Sequence, residues 1–422
     1  IKYLCPRDFR RGEMEEIMNI LYFASVDFYQ KPNPSFHLMH SMITDLLEKG
    51  HKINYVGCAV QGIDHHIPTE FKSNSNFSYR LIDVPNTAKG NFVKRYIDGI
   101  RYAFSAKKYI KEMLRDSDLV FIQSSPTALY NIAIVKKLVK NNKKIMYNVQ
   151  DMFPGSSIAS GVMTQKWMQN IFYSLQKIAY KKSDIIVAIS EDMKDKLIEQ
   201  GVDPTKIEVI VNWYDDRTVS EVEWDNNKFV PIANMDKEHF YVQYAGTMGY
   251  VFDYNMILKV AELLENEEMI IFQMIGEGSQ KSDFIRSAKQ KNLNNIVFLP
   301  LQKQELVSDV YSACSTCIIP LKHGVIGNSV PSKAGLLMAC SRPIITSSDK
   351  GSKYNAMINE NGLGFAYGDD EPEKIAQAIM KLYKNRELCR QMGLRGYEYG
   401  HDIYSRSLNM KKYILLFKRM LG

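Results

Sequence analysis

At 422 residues the chain is too long for one ordinary hydrophobic core, so two domains are expected. Hydrophobic residues make up 45% and charged residues 24%, which excludes large-scale disorder. The net charge of +7 suits an anionic partner, a membrane surface or a phosphorylated substrate, while the basic residues form no recognised nucleic-acid-binding motif. No apolar run reaches the ~18 residues needed to span a bilayer. Charges in IKYLCPRDFRRGEMEEIMN stand where a signal peptide needs its apolar core. A cytoplasmic protein lying against a membrane is expected.

Residues 1–17 read as a leader outside the fold, and the missing initial methionine hints at upstream sequence. NILYFAS (19–25) reads as a buried strand, and a helix is expected from about Ser35 to Lys49, with Leu38, Met42, Leu46 and Leu47 on one face. Gly50 ends it and INYVGC (53–58) is the next strand, so the pattern implies a parallel, doubly wound α/β sheet. FKSNSNFSYRLIDVP (71–85) is a polar excursion that closes on a short strand. The stretch Lys89–Arg115 should be helical and carries eight basic residues against two acidic ones. Phe92, Tyr96, Tyr102, Phe104, Tyr109 and Met113 alternate there with Lys94, Arg95, Arg101, Lys107 and Lys108. The composition fits either a helix resting on anionic lipid or a solvated face over a packed stripe.

DLVFIQ (118–123), a helix from Thr127 to Lys140 and KIMYNVQ (144–150) continue the alternation. Asp151-Met152-Phe153-Pro154 then falls at the carboxyl edge of the sheet, where open α/β folds place their chemistry. There Asp151 either orients an acceptor hydroxyl and takes its proton or caps the following turn. A helix over 165–182, the strand DIIVAIS (184–190), a helix capped by Ser190 and KIEVIVNWYDD (206–216) complete a first domain over 18–216. Residues 217–238 lack a clear period and read as the connection.

The second domain, 239–400, repeats the alternation: FYVQYAG, a helix over 253–266, MIIFQMIG, a helix to about Lys291, NIVFLP and STCIIPL. Cys314 and Cys317 form a C-x-x-C that suits buried thiols better than a redox pair or half a zinc site. In GVIGNSVPSKAGLLMACSRPII (324–345), Pro331 is expected to open a helix, with Asn328, Ser329 and Ser332 around its first turn and Lys333 in it. Free N–H groups, the helix dipole and an ammonium would converge there, which suits a phosphate or diphosphate. An ordinary capped helix would look the same. The tail, 401–422, is amphipathic and basic, and should pack back across the domains.

Several segments, in order and spacing, resemble retaining family-four glycosyltransferases of the two-domain GT-B architecture: YAGTMG, FQMIGEGSQK, VFLPLQKQEL, NSVPSK…MACSRPII and NGLGFAYGDDEPEKIAQAI. In the first domain, EKGHKINYV, NVQDMFPGSSIASGVM, IIVAISEDMKDKLIEQG and IEVIVNW do likewise. The nearest resemblance is to the fucosamine transferase-like branch of O-antigen and capsule assembly.

The resemblance implies a nucleotide-sugar donor, uridine-linked by expectation, and a lipid-linked (polyprenyl diphosphate) glycan acceptor at an anionic membrane surface. Gly246, Thr247 and Gly249 would face the donor diphosphate, with glycine favoured at 246 and 249 by close approach of phosphate. Gly276, Glu277 and Gly278 would lie near the nucleotide and Leu301 to Lys303 near the base. Asn328, Ser329, Val330, Pro331, Ser332 and Lys333 would hold the diphosphate and sugar, and Asp151 would face the acceptor. No metal or cofactor is implied, since there is no clustered Asp-x-Asp or His/Cys set.

Departures stand out. Asn328 and Leu336 occupy the positions of the family's glutamate pair, which leaves ribose recognition to another group such as Glu277. Tyr250-Val251-Phe252-Asp253 replace the usual cations after the glycine turn, and Lys31-Pro32-Asn33-Pro34 a Gly-Gly. A nucleotide-sugar epimerase of the same fold, or a non-catalytic scaffold in polysaccharide assembly, are the competing readings.

Overall fold

The computed structural model describes residues 16–27, 34–63, 67–88, 91–139 and 143–422. Of the expected leader only Glu16 and Ile17 are included, both exposed and outside any helix or strand. The loop Lys31-Pro32-Asn33 lies outside the described residues.

Thirteen strands among these residues form two parallel sheets, one per domain. The first contains β1 (Asn19–Asp27), β2 (Lys52–Val60), β3 (Phe77–Val84), β4 (Leu119–Gln123), β5 (Lys144–Val149), β6 (Ile185–Ala188) and β7 (Ile207–Val209), in the order β3-β2-β1-β4-β5-β6-β7. The second contains β8 (Phe240–Ala245), β9 (Ile270–Ile275), β10 (Ile296–Leu299), β11 (Thr316–Pro320), β12 (Ile344–Ser348) and β13 (Gly364–Gly368), in the order β10-β9-β8-β11-β12-β13. Helices cover both faces, which is why β4, β8 and β11 are buried along their whole length and read as unbroken apolar runs. Strand order reverses at β1/β4 and again at β8/β11. In doubly wound sheets the crevice at such a reversal is where ligands sit.

Most expected elements lie within a few residues of their sequence positions, with two differences. Only Ile207–Val209 of the 206–216 run pairs in the sheet. Beyond it Trp213 turns into the core, and the Tyr214 backbone pairs with Ser405. The 217–238 connection is packed rather than loose: Phe229 is fully buried, and Asn227 and Lys228 are tied to Asp309. Cys314 and Cys317 are both buried with sulfurs 3.3 Å apart.

The chain ends in two helices, Arg386–Tyr404 on the second domain and Arg406–Leu421 on the first. The last one buries Met410, Tyr413, Ile414 and Phe417 in the same core as the helix Pro34–Glu48. Arg406 fixes this return. Buried itself, its guanidinium bonds both oxygens of buried Asp45 (2.8 and 3.1 Å) and Asp215 (2.6 Å). Replacing Arg406 with alanine strands the Asp45 carboxylate with only half-exposed Arg217 (2.7 Å) beside it. The expected loss is about 3 kcal/mol, against less than about 1 kcal/mol for Arg217→Ala. Urea unfolding of the two variants measures both.

Candidate active site

The donor-side residues of the second domain gather at the β8/β11 reversal. Gly246, Thr247 and Gly249 follow β8, Gly276, Glu277 and Gly278 follow β9, and Asn328 to Lys333 follow β11. The glycine turns interlock. At Gly276 φ is +138°, and a Cβ would stand 1.9 Å from the Gly246 carbonyl oxygen. At Gly278 it would meet the Met248 oxygen at 2.3 Å, and the Met248 N–H in turn donates to the Glu277 carbonyl at 2.9 Å. Gly249 differs, since a Cβ there would touch only the Thr247 methyl at 3.5 Å. Protein packing does not demand glycine at 249; only a ligand would.

The helix of the donor loop starts later than expected. Ser332 and Lys333 form a turn closed by the Ala334 N–H on the Pro331 carbonyl at 3.3 Å, Lys333 is the N-cap, and the helix is the six residues Ala334–Ala339. The Lys333 side chain runs inward from the turn. Its ammonium donates to the Ala245 carbonyl at 3.1 Å and sits 3.6 Å from the centre of the Tyr244 ring. So short a helix contributes little dipole, and the cationic character rests on Lys333. Burial pulls the Lys333 ammonium down to about 7. An anion in the turn would reverse that.

Other predicted residues sit apart from this centre. Leu301 is 48% exposed beyond β10. Glu277 pairs with Lys281 at 2.7 Å. Leu336, placed by the resemblance at one of the family's glutamate positions, packs against the domain core. Of the four residues after the glycine turn, Phe252 is buried and Asp253 caps the helix Tyr254–Leu263.

The first domain closes over the loop. The Met152 N–H donates to the Asn328 carbonyl at 2.8 Å, which brings the loop residue Ser329 to the Asp151 side of the seam. Asn328 is 5% exposed; its Oδ1 has no partner among the described residues and fills the space of a side chain at Gly155, where a Cβ would lie 2.1 Å away. Val330 packs on the first-domain core. Further along, Asp192 accepts from the Lys353 and Tyr354 N–H groups at 2.8 and 2.9 Å, capping a helix of the other domain. Asp151 keeps a solvent-exposed face but is enclosed by protein on its other sides. Burial raises its carboxyl pKa, and the Ser329 hydroxyl offsets part of the rise.

Lys94, Arg95, Arg101, Lys107 and Lys108 are all exposed, on the helix Phe92–Met113. Tyr102, Ala103, Ala106 and Ile110 fill its buried side, so the packed stripe is present. Val93, Ile97 and Phe104 nevertheless face outward, at 62%, 43% and 60% exposure.

Several residues of this region have no counterpart in the sequence reading. The helix Lys166–Lys182 repeats the same spacing with exposed Trp167, Ile171 and Ile178, has no acidic residue, and ends in Lys181 and Lys182. The two helices meet at Phe92, Tyr96 and Phe172, which also ring Phe153, two residues after Asp151. That repeated spacing was available as a signal. Asp349, which holds the Gly324 and Ile326 N–H groups at 2.6 and 2.9 Å, had none. Nor did Lys322, whose ammonium reaches Gln280 (3.2 Å) beside the glycine turn. Among the described residues no group of three or more His, Cys, Asp or Glu could hold a metal ion, and no helix is long and apolar enough to cross a membrane.

Comparison with known proteins agrees with this geometry. Residues 38–218 match the family described as Glycosyltransferase Family 4, and residues 225–399 match Glycosyl transferases group 1. The chain is 25% identical over 305 residues to the probable glycosyltransferase WbjE of Pseudomonas aeruginosa, covering 71% of this chain and 74% of that one. The structure resembles that of Anabaena HepE solved with UDP, with a TM-score of 0.72 at 11% identity over 95% of this chain and 100% of that one. It also resembles WaaG, a glycosyltransferase involved in lipopolysaccharide biosynthesis, with a TM-score of 0.66 at 13% identity over 93% and 98% of the two chains. The chain therefore has the GT-B fold of the group 1 and family 4 glycosyltransferases, two Rossmann-like domains facing across a cleft.

The glycine turns give a direct check. Gly276→Ala should cost about 2 kcal/mol or more, because both the positive φ and the backbone contact oppose a side chain. Gly249→Ala should stay within about 0.5 kcal/mol of the parent in thermal melts.

Proposed function

We propose that this chain transfers a sugar from a uridine diphosphate donor to a lipid-linked glycan acceptor, of the polyprenyl diphosphate kind, in the assembly of a bacterial surface polysaccharide. The observation that carries the reading is that the loop bearing a partly desolvated Lys333, set against interlocked glycine turns, is bonded through Asn328 to Met152, the neighbour of the Asp151 carboxylate in the other domain. The diphosphate would lie against the 246–249 turn and the 328–333 loop. The Lys333 ammonium would neutralise charge as the sugar–phosphate bond breaks, a stabilisation that grows in a site shielded from water. Asp151, made more basic by burial, would orient the acceptor hydroxyl and take its proton. No step calls for a metal. The transfer is read as retaining, with donor binding and stabilisation of the leaving diphosphate carrying the rate rather than a protein nucleophile.

The membrane belongs to the same reading. The helices that carry the Lys94–Lys108 face and the Trp167-Ile171-Ile178 stripe meet around Phe153, two residues from Asp151, an arrangement that supports docking on anionic lipid at the inner face of the cell membrane. Nucleotide release from a panel of UDP-sugars, with and without a polyprenyl diphosphate-linked glycan, tests the whole proposal. Acceptor-dependent UDP release is expected. Conversion of the donor without release would make the protein an epimerase, and inertness with intact UDP binding a scaffold.

Lys333 sets a pH signature. Below pH 7 it is already an ammonium in the free protein; above, it must regain a proton to meet the diphosphate. The terminal phosphate, with its second pKa at about 6, is by then ionised. UDP affinity should therefore fall between pH 7 and 9, by up to about tenfold per unit, with proton uptake visible calorimetrically in buffers of different ionisation enthalpy. Lys333→Ala should bind more weakly and show no uptake; a flat parent profile would remove Lys333 from the diphosphate.

For the membrane, reversing Lys94, Arg101, Lys107 and Lys108 to glutamate should abolish flotation with anionic vesicles, as should high salt on the parent. Binding that survives both would exclude the basic face as the anchor.

A further inference from the structure

We infer that Asp192 is a positioning residue for the transfer: from the first domain it clamps the helix and turn that brace the donor loop, and so fixes that loop against the acceptor side. The inference rests on the transferase reading above and adds a residue that this reading does not use.

Asp192 is the second residue of the helix Glu191–Glu199, yet Ser190 caps that helix, its hydroxyl accepting from the Met193 N–H at 3.1 Å. The Asp192 carboxylate instead sends both oxygens across the seam. One accepts from the Lys353 N–H at 2.8 Å and the other from the Tyr354 N–H at 2.9 Å. These are two of the four first-turn donors that a helix cannot satisfy by itself. In the helix Lys353–Glu360 the other two go to Ser352, the Asn355 N–H to its hydroxyl at 3.2 Å and the Ala356 N–H to its carbonyl at 3.1 Å. Every donor of that turn is met, half of them by the other domain.

The clamped turn is joined to the donor loop. The Asp349 carboxylate accepts from the Gly324 and Ile326 N–H groups at 2.6 and 2.9 Å. Its carbonyl takes the Ser352 N–H and the Asn355 amide, both at 3.3 Å, and the Asn355 Oδ1 accepts from the Ser348 hydroxyl at 2.6 Å. Asp192 therefore grips a piece that holds the loop by its backbone. The loop also meets the gripping helix directly. At Gly327, where φ is +84°, a Cβ would stand 3.3 Å from both the Asp192 carbonyl oxygen and the Lys196 side chain. One residue on, the Asn328 carbonyl takes the Met152 N–H at 2.8 Å. The first domain thus holds the loop at two points, one beside Asp151 and one at Asp192.

A carboxylate that takes two backbone N–H groups at a helix N-terminus is a strong anchor, since charge assists both bonds and the helix dipole favours it. The ion pair from Lys353 to Asp195 at 2.6 Å lies beside it between half-exposed groups and contributes less. Losing the anchor leaves the loop's bracing by Asp349 in place, so contacts to the nucleotide survive within the second domain. What it releases is the alignment of the loop, with Lys333, against the side that carries Asp151. A small misalignment of reacting groups slows transfer without weakening donor binding.

The test uses Asp192→Ala, Lys353→Pro and Lys353→Ala in the full chain. Position 353 is the first helical residue, where proline is tolerated, and Ser352 has φ −65° and ψ 147°, a backbone suited to the residue before proline. Lys353→Pro therefore removes one clamped N–H and keeps the Asp192 carboxylate; Lys353→Ala keeps the N–H and removes only the ion pair. Asp192→Ala and Lys353→Pro should lower acceptor-dependent UDP release about tenfold or more. UDP affinity by calorimetry should stay within about twofold in both, and Lys353→Ala should match the parent in rate and affinity. Hydrogen exchange of the free protein should quicken in the 151–158 segment of both clamp variants, although neither substitution touches it. A residue that only capped its helix would lower the melting temperature and quicken exchange at 352–355 alone. Unchanged turnover in the clamp variants overturns the inference, as does parental exchange in 151–158 or a loss confined to UDP affinity. If Asp192→Ala does not fold, Lys353→Pro decides. If the parent itself releases no UDP to any acceptor while exchange in 151–158 still quickens in the variants, the transferase reading fails and the clamp stands.

Discussion

A lysine ammonium drawn away from water, with no counter-anion beside it among the described residues, is the constraint around which the second domain's site is arranged. Lys333 has a carbonyl and an aromatic face for company, both weaker partners than the water it gave up. A Cβ at 246 would stand 2.7 Å from the ammonium nitrogen, and the φ of +150° there already favours glycine. A deficit of this kind is relieved by an anion.

The first domain answers this arrangement from the carboxyl end of β5, the strand beside β4. Met152 and Gly155 follow β5 and engage Asn328, while Asp192 caps a helix on the opposite side of the seam. The last helix, locked by Arg406 onto Asp45 and Asp215, carries the chain back so that the domains are joined twice. Two crossings restrict how the domains can turn against one another. A site split between them is then completed by closure rather than by either domain alone.

Much of this was legible in the sequence, for reasons that are local. Strands buried on both faces leave unbroken apolar runs, and Gly246, Gly276 and Lys333 sit in turns whose residue types follow from the chain's immediate geometry. What could not be read depends on distant partners. Nothing around Pro331 says that Lys333 points inward, because Tyr244 and Ala245 lie almost ninety positions earlier. Asn328 reads as a diphosphate ligand, yet its amide is pressed against Gly155, a packing visible only once the domains face each other. Asp192 reads as an ordinary first-turn acid of its own helix, and its two bonds go to residues 161 and 162 positions away. The stripe of Trp167, Ile171 and Ile178 was within reach, since its spacing repeats that of Val93, Ile97 and Phe104 on the more conspicuous basic helix.

The central claim is that donor binding in the second domain and acceptor activation in the first are joined through the seam. Hydrogen-exchange mass spectrometry with saturating UDP reads this directly, because the Met152, Lys353 and Tyr354 amides all donate across the domains. The account predicts that UDP slows exchange in the 246–249, 276–280 and 324–334 segments, and in 151–158 and 352–355 along with them. Protection confined to the second domain's turns, with 151–158 exchanging as in the free protein, would contradict it.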